Sequence, residues 1–136
     1  MRILADTNVF IKYWKNKGDS DLEIIKTIEN EDIVVCGVIR AELLHGARTE
    51  KEMNRYINLL SAFDELEMNE TDWDTVGGNL REMRINGLNV PFADAIIATM
   101  GLKYGVSIWS YDQHFQKIKE IMPDLKLYEL GAPIKT

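Results

Sequence analysis

The chain has 136 residues, so one domain over 1–136 is expected, long enough to bury roughly two-thirds of its unfolded surface without a disulfide or structural metal. A composition of 46% hydrophobic and 28% charged residues excludes disorder, and no window approaches the roughly 18 uninterrupted apolar residues of a membrane-spanning helix. Twenty-two acidic against sixteen basic residues leave a net charge of −6, the wrong sign for gripping nucleic acid by bulk charge and a weak argument against such a partner; cations held at an acidic site would reverse that sign locally.

Residues 2–5 predict a short apolar strand ending at Asp6, too early for the apolar core of a signal peptide. A helix follows through Phe10 and Ile11 and ends in Lys12-Tyr13-Trp14-Lys15-Asn16-Lys17. Lysines interleaved with aromatics suit single-stranded RNA; an amphipathic helix end with a solvated lysine face has the same composition. The next helix covers about 20–30 with Leu22, Ile25 and Ile28 inward. The β-branched run 32–36 predicts a buried strand and makes the single Cys36 a buried, reduced thiol, as in a cytoplasmic protein. Gly37 opens a helix to about 48, and 50–64 give another with Met53, Tyr56, Ile57 and Leu60 on one stripe.

A weak strand is expected at 65–68, then a helix that Thr71 caps with Asp74 as the reciprocal acid. Residues 92–104 form a helix apolar nearly all round, followed by a strand at 106–109, a short helix from near Gln113 and a last strand at 126–129. Residues 131–136 read as a tail. Short buried strands alternating with helices imply a parallel sheet covered on both faces, with functional groups at the carboxyl ends of its strands.

Four acidic residues fit that edge. Asp6 and Asp112 each follow a strand, where an Asp can also serve simply as a helix cap. Glu42 lies between Val38 and Ile39 on its helix, with Gly46 one turn later, an unusual setting for a solvated glutamate. Asp94 interrupts Pro91-Phe92-Ala93-Asp94-Ala95-Ile96-Ile97-Ala98, where it could serve the helix dipole; the small Ala98 and Gly101 above it leave room near its carboxylate. Clustered carboxylates repel unless a cation neutralises them, and oxygen ligands suit Mg²⁺ or Mn²⁺. No ligand-type spacing links His45 and His114, which argues against zinc. The nucleophile elbow and the glycine-rich phosphate loops are absent.

At these residues the sequence resembles the PIN domain family. The shared features are Asp6-Thr7-Asn8 after a first strand, Ala41-Glu42-Leu43 with Gly46 following, Asp94 before Ala95-Ile96-Ile97-Ala98, and Ser110-Tyr111-Asp112 with Phe115. Ala41-Glu42-Leu43-Leu44-His45-Gly46 and Pro91-Phe92-Ala93-Asp94 look like the VapC-type toxins of toxin–antitoxin pairs. The resemblance implies a three-layer α/β/α fold around a mostly parallel four- or five-stranded sheet. It also implies a cytoplasmic endoribonuclease dependent on Mg²⁺ or Mn²⁺, commonly a homodimer, restrained by a cognate antitoxin protein.

By the same resemblance Asp6, Glu42, Asp94 and Asp112 are the metal-binding and catalytic carboxylates. Ser110 is implied to hydrogen-bond a metal ligand or a metal-bound water, and Asn8 either to steady the loop carrying Asp6 or simply to start the helix. Lys12, Lys15 and Lys17 are the candidate RNA contacts, and Tyr111 departs from the basic residue frequent there. Two rivals remain open: a PIN-fold binding module without cleavage, and an aspartyl-nucleophile phosphatase. The latter wants a second acid two residues after Asp6, where Asn8 stands.

Overall fold

The computed structural model describes residues 2–15 and 22–129. In chain order these form β1 (Arg2–Ala5), α1 (Thr7–Lys15), α2 (Leu22–Asn30), β2 (Asp32–Cys36), α3 (Gly37–His45), α4 (Glu50–Leu60), β3 (Asp64–Leu66), α5 (Glu70–Ile85), α6 (Phe92–Tyr104), β4 (Ser107–Trp109), α7 (His114–Ile121) and β5 (Lys126–Leu127). The strands make one five-stranded sheet, order β3-β2-β1-β4-β5, with every neighbouring pair parallel.

Consecutive residues of a strand point to opposite faces. Ile3, Leu4 and Ala5 of β1 are all fully buried, as are Val34, Val35 and Cys36 of β2. Both faces of the central strands are therefore covered, which helices on either side accomplish as the third and first layers. The chain runs outward through β2 and β3 and then returns past β1 to place β4 and β5 on its other side. The order of strands thus reverses between β1 and β4, and open parallel sheets bind ligands at such a point.

The opposite, amino-terminal edge is tied by Arg2, whose guanidinium donates to Asp32 at 2.8 Å and to Asp64 at 3.0 Å, spanning three strands. On α6 every residue from Asp94 to Gly101 is buried. Gly101 is small for a reason other than room for Asp94: a Cβ there would lie 2.9 Å from Cδ1 of Ile108, so its absence lets α6 settle on β4. The helix ends at Gly105, whose left-handed backbone (φ 64°) no branched residue adopts without strain.

Three expectations are corrected. On α2 the core takes Ile24 and Ile28, one turn apart, and Ile25 is only half-buried; the side chain of Leu22 and residues 130–136 lie outside the described residues. On α4 only Leu60 is buried, and Met53 and Ile57 stay exposed, because the helix meets α1 through one aromatic seam. In that seam Tyr56 stacks on Trp14 at 4.6 Å, and Phe10 lies 5.7 Å from Trp14 and 5.4 Å from Phe63.

The third correction concerns the start of α5. Asn69, not Thr71, caps it: the Asn69 side chain accepts from the Asp72 amide at 3.1 Å, and Asp72 accepts from the Asn69 amide at 2.8 Å. Asp72 wins over Asp74 because its Oδ2 also accepts from Lys103 of α6 at 2.7 Å, so one carboxylate fixes two helices. That bond, followed by the Asn69 amide, holds the Asp72 carboxyl below the usual range. Asn69→Ala is expected to lower stability by about 1 kcal/mol, read as a smaller urea midpoint at unchanged m-value.

Candidate metal centre

Both strands flanking the reversal end in polar residues that meet. The Asp6 amide donates to the Trp109 carbonyl at 2.9 Å, continuing the β1–β4 ladder one step beyond the strands. Asp6 is thereby held at the carboxyl edge, almost wholly buried. Its Oδ1 accepts from the Thr7 amide at 2.7 Å and its Oδ2 from the Ser110 hydroxyl at 2.7 Å.

Ser110 is a hub. Its Oγ also accepts from Asn8 Nδ2 at 3.2 Å and from the Asp112 amide at 3.0 Å. Asn8 in turn accepts the Tyr111 amide through Oδ1 at 3.2 Å. The loop after β1 and the loop after β4 are therefore one hydrogen-bonded unit. Thr7 reaches the other way and donates to Glu42 Oε1 at 3.0 Å, bringing in α3.

Asp94, in the first turn of α6, faces α7. Its Oδ2 lies 2.6 Å from Nδ1 of His114, and Asp112 Oδ1 lies 3.1 Å from the same nitrogen. The His114 amide also donates to Asp112 Oδ1 at 3.0 Å. Asp94, Asp112 and His114 each offer a ligand atom within 4.8 Å of the others, the arrangement of a group able to hold a metal ion.

Burial raises the Asp6 carboxyl pKa above its ordinary value, against the lowering by Ser110 and Thr7, and the charges of Glu42 and Asp112 add to the rise. Burial also raises Asp94; His114 opposes this, and the charges of Asp112 and Asp6 reinforce it. The four acids singled out in the sequence thus share one electrostatic neighbourhood, with Asp94 and Asp112 tightly grouped and Asp6 and Glu42 reached through Ser110 and Thr7. Asp6 and Asp94 are buried, Asp112 is half-buried and Glu42 is exposed at the rim, and a mutually repelling donor set of this kind fits a divalent cation.

The sign of the pH effect follows. A carboxyl whose folded pKa is raised stabilises the fold fully below the unfolded value and loses that contribution as pH rises through the folded one. Between about pH 4 and neutrality, the metal-free wild type is therefore expected to lose stability relative to Asp6→Asn, seen as denaturation midpoints that diverge in the variant's favour.

His114 is not legible in the sequence as part of the site. Spacing between two histidines would have marked it, whereas the structure pairs one histidine with two aspartates; the available signal was its place two residues after Asp112 at a helix start. The lysine-rich segment divides differently from its sequence. Trp14 is committed to the aromatic seam and Tyr13 is half-buried, which removes them as stacking platforms. Lys12 is exposed, and its Nζ sits 4.2 Å from the centre of the Tyr111 ring, beside Asp112. The Lys15 side chain and Lys17 lie outside the described residues. Burial pushes the Cys36 thiol up to about 11, leaving it inert.

Known proteins share this fold. Residues 3–121 match the model of the PIN domain. Among solved structures, a chain of VapBC2 from Rickettsia felis, bound to a DNA fragment from their promoter, superposes with a TM-score of 0.75 at 19% identity, covering 94% of this chain and 98% of that one. VapBC-1 from nontypeable Haemophilus influenzae gives 0.75 at 20% identity over 95% and 98%. A toxin–antitoxin complex from Klebsiella pneumoniae gives 0.69 at 18% identity over 94% and 99%. A search of curated proteins finds no match.

Proposed function

The chain belongs to the PIN domain family, and from that premise we propose that it is a divalent-metal-dependent endoribonuclease, the toxin of a VapBC-type toxin–antitoxin pair. The observation that supports the reading is the meeting of Asp94, Asp112 and His114, with ligand atoms within 4.8 Å of one another, beside Asp6 at the point where the strand order reverses, Glu42 being linked to that group through Thr7. PIN nucleases are hydrolases acting on nucleic acids, and neighbours of the same fold are toxin–antitoxin complexes.

In this reading Asp6, Glu42, Asp94 and Asp112 hold Mg²⁺ or Mn²⁺ and so make up the catalytic centre. An ion held there supplies Lewis-acid stabilisation of phosphoryl charge and makes water a competent nucleophile near neutral pH. Ser110 orients Asp6, and Asn8 holds Ser110 and Tyr111 in place. Lys12 offers a cation to the RNA backbone at the rim of an otherwise negative site. The partners are an RNA substrate, a cognate antitoxin and a second copy of the chain, in the cytoplasm; among the described residues no helix is long and apolar enough to cross a membrane. An aspartyl-nucleophile phosphatase fits less well, because Asn8 stands where its second acid is required and is committed to Ser110 and Tyr111.

The test is incubation of the purified chain with a mixed set of structured RNAs in Mg²⁺, in Mn²⁺ and in EDTA. Cleavage in either metal that EDTA abolishes supports the nuclease, and intact RNA under all three conditions leaves a binding module as the better reading. Ser110→Ala is expected to weaken cleavage and metal affinity by roughly 10–100-fold, the cost of losing a group that orients a ligand, while Ser110→Thr retains most of both.

A further inference from the structure

One ring nitrogen of His114, Nδ1, faces Asp94 and Asp112 at once. A ring N–H donates one proton, yet two carboxylates converge on Nδ1 at 2.6 and 3.1 Å. Sharing one proton between them leaves their repulsion largely uncompensated, whereas a cation placed among all three atoms satisfies each. Bonds of roughly 2.1 Å at right angles put neighbouring donors about 3 Å apart, close to the spacing seen here. Among the described residues, His114 is also the one basic group within ion-pair distance of Asp94 or Asp112. The ring is held in place from its own backbone: the His114 amide is bonded to Asp112, and the next residue, Phe115, is buried and anchors α7.

We infer that His114 is a metal ligand, giving Asp94 and Asp112 a nitrogen partner, and that this nitrogen makes the site select Mn²⁺ over Mg²⁺; the inference rests on the metal-dependent reading above. The chemistry is one of ligand softness. Two carboxylates keep the site in the class that takes Mg²⁺ or Mn²⁺, and one imidazole tips it toward the ion further along the series, since Mg²⁺ gives up water reluctantly and gains little from nitrogen.

The experiment is a titration of the metal-free chain with Mn²⁺ and with Mg²⁺ by calorimetry, joined to pulsed electron paramagnetic resonance of the Mn²⁺-loaded protein. Wild type, His114→Gln and His114→Asn are compared, with circular dichroism confirming the fold of each. The expected result is a ¹⁴N modulation in wild type that disappears in His114→Gln, with Mn²⁺ affinity falling about 10–100-fold and Mg²⁺ affinity changing far less. Mn²⁺ binding without nitrogen modulation overturns the inference and leaves the carboxylate site standing. Full retention of Mn²⁺ affinity in His114→Asn, which keeps an N–H donor near the Nδ1 position, makes the ring a positioning group and overturns it too. If wild type binds neither ion, the metal-dependent reading falls and His114 with it.

Discussion

Asp94→Asn is expected to reduce metal-dependent RNA cleavage by more than about 100-fold, since losing a direct ligand exceeds the roughly 10–100-fold that outer partners cost. The substitution keeps size and shape but removes the charge that would hold the cation. It also removes a buried negative charge that Asp112 and Asp6 oppose, so the metal-free variant is expected to melt no lower than wild type. Activity and stability should therefore move apart, which misfolding cannot imitate. Single-turnover cleavage beside thermal melts with and without Mn²⁺ checks this: wild type gains melting temperature from the ion, and the variant does not. A variant that cleaves as well as wild type would remove Asp94 from the site.

The largest expected loss of stability is at Trp109. Its ring is almost completely buried at the end of β4 and meets Tyr128 edge-on at 5.4 Å. Trp109→Ala is expected to cost about 3–5 kcal/mol and to lower the melting temperature by roughly 10–18 °C. Phe92→Ser, at a residue 73% exposed, should stay within about 0.5 kcal/mol of wild type and serves as the control. Because the Trp109 carbonyl receives the Asp6 amide, a variant that still folds is also expected to bind the metal more weakly.

How much of the molecule is legible in its sequence follows from which forces act locally. Strands and helices can be placed because burial imposes a period: the run Ile33-Val34-Val35-Cys36 has no polar residue to offer a solvent face, and it lies between two covered faces. The four acids are legible because each sits at a strand end or on an otherwise apolar helix. Cap choice at α5 is not, because Asn69 with Asp72 and Thr71 with Asp74 offer the same local pattern. The deciding contact, Lys103 to Asp72, comes from another helix. Nor is the exposure of Met53 and Ile57 legible, since an apolar stripe records only that a helix can be covered. His114 escapes for a similar reason: its partner Asp94 is fixed by how α7 lies against α6, and only its place two residues after Asp112 is written in the sequence.

The Ser110 hub has a consequence for the order in which the molecule acquires its chemistry. Ser110 bonds Asn8 and Asp6 across 102 and 104 positions of chain. Contacts so distant in sequence close late, because a long loop must be ordered before they repay it. A nascent chain whose β4 is still inside the ribosome can build β1, β2 and the helices between them, yet it lacks the serine that orients Asp6, along with Asp112 and His114. The grouping of Asp6 with Ser110, Asp112 and His114 therefore comes into being only after the sheet's fourth strand is complete.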